Sequence, residues 1–156
     1  MRVALFPAPK IVEIVERPLP EAPPGWVLVK NACSAICGSD KGLWFNGGGE
    51  ALHGHEMCGT VEALGEGVTT WKVGDRVTAL VVTGCGECLR CKRGEWAYCE
   101  TKKGLSGGFA EYFVAPATNL YALPDWLTDV QGCLVTDNLG TPARAVRLSG
   151  IKADEA

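Results

Sequence analysis

Residues 85–99 read CGECLRCKRGEWAYC, with four cysteines in a C-x2-C-x2-C-x7-C spacing. Gaps of two residues let successive thiolates turn onto one zinc ion, and the longer gap lets the chain fold back to complete a tetrahedral shell. Four protein ligands fill every coordination position, so such a site is structural. The stretch is too polar for a core, and we expect a zinc-binding loop lobe over residues 84–100. Its ligands would be Cys85, Cys88, Cys91 and Cys99.

Two other uses of clustered cysteines fit this stretch less well. In a ferredoxin-type iron–sulfur run the fourth cysteine follows three residues after the third and precedes proline, whereas here Glu100 follows Cys99. The N-terminal residues MRVALFP show no export signal. Eight cysteines in such a chain favour reduced thiols and metal over disulfides. We therefore expect zinc in the lobe and a cytoplasmic location.

The bulk composition bounds the fold and its partners. A chain of 156 residues is the size of one domain, and 47% hydrophobic with 21% charged residues is ordinary for a globular protein. A net charge of −3 provides no positive field to attract phosphates. No stretch approaches the roughly 18 apolar residues of a membrane span. We expect neither nucleic acid nor membrane as a partner.

Short β-branched or alternating runs, separated by glycine and proline, predict a mainly β fold of the barrel or sandwich type. The predicted strands are 3–6, 11–16, 26–33, 59–63, 76–82 and 109–115. Helix is the minority element. It is expected weakly at 39–44, and again near the end, where Thr141 is predicted as N-cap, Pro142 as the first helical residue and 143–148 as the helix.

A second and sparser set of metal ligands lies upstream of the lobe. Cys37 begins the sequence Cys37-Gly38-Ser39-Asp40, and His55 precedes Glu56. Without their neighbours, such a pair is more often a small buried thiol and a hydrogen-bonded histidine than a metal site. A catalytic zinc has three protein ligands and one open position, so a third donor would have to come from elsewhere in the chain.

Several motifs in this chain occur in the order found in one family. They are CGSD at 37–40, GHEMCG at 54–59 running into VEALGEGV at 61–68, VGDRV at 73–77, the four-cysteine stretch, and GGFAEY at 107–112. With these motifs the chain resembles the zinc-containing medium-chain alcohol/polyol dehydrogenases over nearly its whole length. The resemblance implies a GroES-like β-barrel catalytic domain over residues 1–156, with a few short helices and the zinc lobe.

The resemblance also implies a catalytic zinc held by Cys37 and His55. The family's third ligand falls within residues 133–140, where Asp137 aligns best and Cys133, which needs a shift of four residues, is the second choice. Glu56 resembles a carboxylate of the family that either supports the ligands from behind or exchanges as a ligand itself. The three remaining cysteines are interpreted as buried apolar thiols. These are Cys33, Cys58 and Cys133.

The implied chemistry is oxidation of a small alcohol, polyol or sugar by hydride transfer to NAD(P), with zinc polarising the hydroxyl group. Two zinc ions per chain are expected. Ser39 would pass the hydroxyl proton towards solvent, and Asp40 would orient His55 from behind. Some family members continue this relay with a histidine where this chain has Gly42, so protons would leave here by another route.

No G-x-G-x-x-G fingerprint of a nucleotide-binding Rossmann domain occurs in these 156 residues. We therefore expect that domain to be absent from the chain, NAD(P) to bind only through it, and the chain to be inactive alone and to self-associate through exposed barrel surface. The alternative is a stand-alone zinc-stapled β-barrel for binding or assembly. Two zinc ions per chain would favour the enzyme, and one would favour the alternative.

Overall fold

The computed structural model describes residues 1–152. The strands are β1 Arg2–Leu5, β2 Glu13–Glu16, β3 Trp26–Ala35, β4 Glu56–Leu64, β5 Arg76–Ala79, β6 Val82–Thr83, β7 Lys103–Gly104, β8 Tyr112–Pro116 and β9 Leu120–Ala122. The α-helices are α1 Lys41–Asn46, α2 Leu89–Lys92, α3 Asp129–Cys133 and α4 Gly140–Ser149. Short 3-10 turns lie at Gly38–Asp40, Trp96–Tyr98 and Ala117–Asn119, and a π-helical segment lies at Val135–Leu139.

A five-stranded sheet in the order β8-β3-β4-β5-β9 forms the body of the domain, and the pairs β1-β2 and β6-β7 form separate hairpins. The five-stranded sheet is antiparallel throughout and curls into a half-barrel. The mainly β prediction is confirmed. The run predicted as one strand over 76–82 is divided between β5 and β6, and the sequence reading missed β9.

The two faces of the sheet bury different clusters. Along β4, Met57 packs into the main core with Phe113 and Val29, while the adjacent Cys58 points to the opposite face, because successive side chains of a strand alternate. On that opposite face Cys58 packs against Cys133 of α3. Helix α3 is thereby held against the back of the sheet.

The end of β3 is redirected by an irregularity in its pairing. Asn31 lies opposite Gly59 and Cys33 opposite Cys58, so Ala32 has no partner residue on β4. Gly59 permits this close approach, since a Cβ there would collide with the Lys30 carbonyl oxygen. Bulges of this kind bend a strand and re-aim the residues that follow, and the chain leaves β3 towards the 3-10 turn at Gly38–Asp40.

The predicted N-cap at Thr141 is wrong, because the helical run begins earlier. The Thr128 hydroxyl accepts from the Gln131 backbone N–H, and the Gln131 side chain accepts from the Thr128 N–H, so α3 starts at Asp129 with a capping box. The π-helical bond from Leu139 N–H to the Leu134 carbonyl then carries the chain into α4. Pro142 lies inside α4, where it lacks a backbone donor.

The end of α4 agrees with the sequence pattern. Gly150 caps the helix in the left-handed conformation with φ 71°, which glycine adopts without steric cost. Within residues 1–152, no helix is both long enough and apolar enough to cross a bilayer.

Candidate metal centres

The four thiols of the lobe converge on one point. Their Sγ atoms all lie within 4.8 Å of one another. Cys91 and Cys99 are buried, whereas Cys85 is exposed. Gly84 is required beside them because a Cβ at this position would collide with Cys91 Sγ. The four thiols are therefore close enough together to bind one metal ion.

Backbone N–H groups donate hydrogen bonds to sulfur atoms of the lobe, and such bonds stabilise the negatively charged thiolate form. Cys88 N–H donates to Cys85 Sγ at 3.3 Å, and Cys91 N–H donates to Cys88 Sγ at 3.5 Å. The hydrogen bond with the Thr101 hydroxyl, with help from Cys85 N–H, lowers the pKa of Cys99 to about 6. Burial raises the pKa of Cys91 to about 12. A bound cation would favour the thiolate form of Cys91 and so oppose the effect of burial.

The second group joins side chains that are far apart in the sequence. Asp137 Oδ2 lies 3.1 Å from His55 Nε2 and 3.6 Å from Cys37 Sγ, from which it is separated by 100 positions. Together with Glu56, these residues place one ligand atom each within 4.8 Å of one another. A thiolate, an imidazole and one carboxylate form a donor set typical of zinc, with a second carboxylate beside them.

Each member of this group is positioned by a different element. Cys37 is the N-cap of the 3-10 turn that follows β3. His55 precedes β4 and follows Gly54, whose φ of 82° and close packing on Phe109 fix the entry into the strand. Asp137 lies in the π-helical segment, where the wider helical turn places it over the sheet.

Two further side chains hold the ligands in orientation. Asp40 is 9% exposed, accepts a hydrogen bond from Cys37 N–H at 2.9 Å, and has Oδ1 3.8 Å from His55 Nδ1. The latter separation exceeds a hydrogen bond, so Asp40 faces the ring without bonding it directly. The Thr141 hydroxyl donates to Asp137 Oδ1 at 3.0 Å. The sequence analysis did not predict this contact of Thr141. It could have been found from the spacing, because residues four apart on a helix lie on the same face.

Glu56 provides a direct test of whether a cation fits the second group. It is 1% exposed, and its Oε2 atom has no hydrogen-bond partner among the described residues. An unpaired buried carboxylate is costly. A cation held by Cys37, His55 and Asp137 would offset that cost, and the donor set therefore fits zinc.

Two other predicted residues are not among the ligand atoms of this group. Ser39 is exposed in the 3-10 turn beside Cys37. The Sγ atom of Cys133, the second choice for the third ligand, lies 3.6 Å from Cys33 Sγ and 3.2 Å from the Val130 carbonyl oxygen, within hydrogen-bonding reach of either. The structure thus gathers Asp137, and not Cys133, with the other candidate ligands.

A cleft of about 660 Å³ opens beside Asp137, between the lobe and α4. Its walls include Trp96 and Tyr98 on the lobe side and Thr141 and Arg144 on the helix side. The Arg144 guanidinium donates to the Tyr98 hydroxyl at 3.2 Å and so joins the two walls. This cleft provides space for a small molecule next to the candidate metal centre.

Comparison with known proteins identifies the architecture. Residues 23–125 match the model of the alcohol dehydrogenase GroES-like domain. The chain belongs to this family. The resemblance to zinc-containing medium-chain dehydrogenases and the GroES-like fold are thereby confirmed.

Similar proteins include a starvation-sensing protein and several L-threonine 3-dehydrogenases. The chain is 36% identical over 143 residues to "Starvation-sensing protein RspB" of Escherichia coli K12, covering 86% of this chain and 42% of RspB. It is 38% identical over 129 residues to L-threonine 3-dehydrogenase of Stenotrophomonas maltophilia, covering 76% and 38%.

Solved structures give the same picture. Galactitol-1-phosphate dehydrogenase from Escherichia coli superposes with a TM-score of 0.86 at 28% identity, over 96% of this chain and 45% of that one. Escherichia coli RspB, solved with NADH, superposes with a TM-score of 0.76 at 35% identity, over 86% and 42%. The chain therefore spans less than half the length of these relatives.

Proposed function

We propose that this chain is the catalytic part of a zinc-dependent oxidoreductase that exchanges a hydride between a small alcohol, polyol or sugar and NAD(P). The observation that carries the proposal is the gathering of Cys37, His55 and Asp137 around one point, with the unpaired carboxylate of Glu56 beside them. When bound there, zinc would act as a Lewis acid that makes a hydroxyl group more acidic.

The side chains around the centre have distinct proposed tasks. Asp40 and Thr141 would restrict Cys37 and Asp137 to ligating orientations through the hydrogen bonds described above. Ser39 is exposed next to Cys37 and would pass a proton between the reacting hydroxyl and solvent. Glu56 would serve as an alternate carboxylate ligand. The lobe would hold a second, structural zinc ion that stabilises the fold.

The coenzyme and the substrate class are inferred from the relatives. RspB was solved with NADH, a Sinorhizobium meliloti zinc-binding dehydrogenase was solved with NADP, and the names of other relatives specify L-threonine and galactitol-1-phosphate. Both of these molecules carry hydroxyl groups. In our proposal NAD(P) is held by residues outside these 156, the chain does not turn over alone and associates through its exposed barrel surface, and it works in a reducing compartment such as the cytoplasm.

Cobalt substitution tests the open coordination position. Chain refolded with Co(II) in place of zinc should bind two ions, and imidazole, a ligand for open metal positions, should shift the ligand-field absorption of one of them. A short polyol should compete with imidazole. The shift should be missing in His55→Ala and retained in His53→Ala, which changes a histidine outside both groups.

The opposite outcome would replace the proposal. If the chain binds a single cobalt ion whose spectrum shows four thiolate ligands and does not respond to imidazole, the domain is a zinc-stapled binding or assembly module. In that case the pocket at Cys37 is not a metal centre.

A further inference from the structure

Two cysteines outside both metal groups lie in contact across the back of the sheet. The thiol of Cys133, at the end of α3, donates to the sulfur of Cys33, in β3, and the two Sγ atoms are 3.6 Å apart. A disulfide needs an S–S distance of about 2.05 Å, so the two sulfur atoms must approach each other by about 1.5 Å. Neither of the two candidate metal groups includes Cys33 or Cys133.

The pair also differs from an ordinary buried thiol in its access to solvent. Cys133 is 2% exposed, whereas Cys33 is partly exposed and lines a surface cavity of about 360 Å³ together with Asn31 and Ser34. Cys33 is therefore the more accessible of the two residues. Burial raises the pKa of Cys133 to about 12, which keeps this thiol protonated and protected until its partner reacts.

The position of the pair connects it to the candidate metal centre. Cys33 precedes Cys37 by four residues and Cys133 precedes Asp137 by four residues. The pairs Cys33–Cys133 and Cys37–Asp137 are both separated by 100 positions and by 3.6 Å. Each of the two segments therefore carries one of these thiols and, four residues further along the chain, one candidate zinc ligand.

We propose that Cys33 and Cys133 are a modification site that forms an intramolecular disulfide on exchange with a low-molecular-weight disulfide. The bond would tie the segment of Cys37 to the segment of Asp137 and act as a reversible latch behind the zinc ligands. Oxidised glutathione represents the class of oxidant.

The chemistry balances in two exchange steps. The Cys33 thiolate attacks glutathione disulfide, forming a mixed disulfide and releasing one glutathione thiolate. Cys133 then gives up its proton, and its thiolate attacks the Cys33 sulfur of the mixed disulfide. The second glutathione leaves as thiolate and takes up that proton. In total two protein thiols are oxidised and one glutathione disulfide is reduced to two glutathione molecules.

Peptide mapping of the zinc-loaded chain tests the bond itself. Trypsin releases Cys33 within peptide 31–41 and Cys133 within peptide 104–144. After incubation with oxidised glutathione, mass spectrometry without reduction should show these two peptides joined in most molecules, and dithiothreitol should separate them. The yield should be at least tenfold lower when the chain is oxidised in urea, because the bond depends on the folded geometry.

Variants assign the bond to this pair. Peptide 31–41 also contains Cys37, so the link must disappear in Cys33→Ser, where a bond from Cys37 would survive. It must persist in Cys58→Ser, which alters the neighbouring buried thiol whose own bond goes to the Asp129 carbonyl. Absence of the link in the wild-type chain, equal yield in urea, or persistence in Cys33→Ser would each overturn the proposal.

The latch should also have measurable effects. Closing a loop between Cys33 and Cys133 should raise Tm by about 5 to 10 °C, and release of zinc from the mixed site to a chelator should slow at least threefold. The second effect rests on the proposed function, whereas the cross-link does not. A cross-linked chain with a single lobe zinc would therefore refute the proposed metal centre and leave the modification site standing, and a cross-link that leaves Tm unchanged would refute the latch.

Discussion

The two candidate metal centres are assembled in opposite ways. The lobe takes its four ligands from residues 85–99, a single stretch whose own turns bring the thiols together. The mixed centre takes Cys37, His55 and Asp137 from three elements, with 82 positions between the histidine and the aspartate. The first requires only local folding, whereas the second requires the sheet and the helical run to be in place. Folding of the lobe should therefore depend on its own zinc ion. The mixed centre should form only after the rest of the domain has folded, so the domain should fold without zinc at that centre.

Replacing a lobe ligand should have the largest effect. Cys88→Ser removes one of four thiolates, and because binding of a structural zinc is coupled to folding, we expect loss of the lobe zinc and at least about 3 kcal/mol of stability, a fall in Tm of about 10 °C. Thermal unfolding and metal analysis measure both. Leu89→Ser, at an adjacent exposed position of the lobe, is the control and should retain two zinc ions. A Cys88→Ser chain as stable as the control would remove the distinction between the centres.

Removing the histidine should separate metal loss from unfolding. His55→Ala should weaken zinc binding at the mixed centre at least about 1,000-fold, equivalent to about 4 kcal/mol of binding free energy. At one zinc ion per chain, where only the lobe is filled in both proteins, the variant and the unchanged chain should differ in Tm by less than about 5 °C. His53→Ala should keep both zinc ions, since His53 contacts the Gly48 carbonyl instead. Chelator competition followed with melting curves gives both quantities. If His55→Ala unfolds the chain as severely as Cys88→Ser, the proposed division of roles is wrong.

The third ligand can be identified by a matched pair of variants. Asp137→Ala should weaken zinc binding about 100-fold, less than His55→Ala, because the Glu56 carboxylate beside it can partly replace the missing donor. Cys133→Ala should leave zinc binding at the mixed centre unchanged, as its thiol contacts Cys33. Equal zinc loss in both variants, or loss in Cys133→Ala alone, would reverse the assignment.

The smallest effect is expected from Thr141, which contacts the proposed zinc ligand Asp137 and is not itself a ligand. Thr141→Val removes the hydroxyl that donates to Asp137 Oδ1, and loss of such an orienting contact should cost about tenfold in zinc affinity. Thr136→Val removes a hydroxyl of the same segment that donates to the Ala79 carbonyl, so it should lower Tm without changing zinc affinity. Identical zinc affinities in the two variants would show that Thr141 does not orient Asp137.

The same contrast between local and distant contacts explains what the sequence revealed. The lobe could be predicted from spacing alone, since its ligands are neighbours in the chain. Asp137 could be reached only through family resemblance, because no spacing rule links residues 100 positions apart. The contact of Thr141 with Asp137 was missed because the pair Thr141-Pro142 has the pattern of a helix start. The true start carries the signature Thr128-x-x-Gln131, which is equally local and was available in the sequence.

Anomalous scattering at the zinc edge, measured on crystals grown without chelator, tests the central claim most directly. The account predicts two peaks per chain, one enclosed by Cys85, Cys88, Cys91 and Cys99 and the other between Cys37, His55 and Asp137. A single peak in the lobe would contradict the proposed catalytic centre, and absence of both peaks would contradict the whole account.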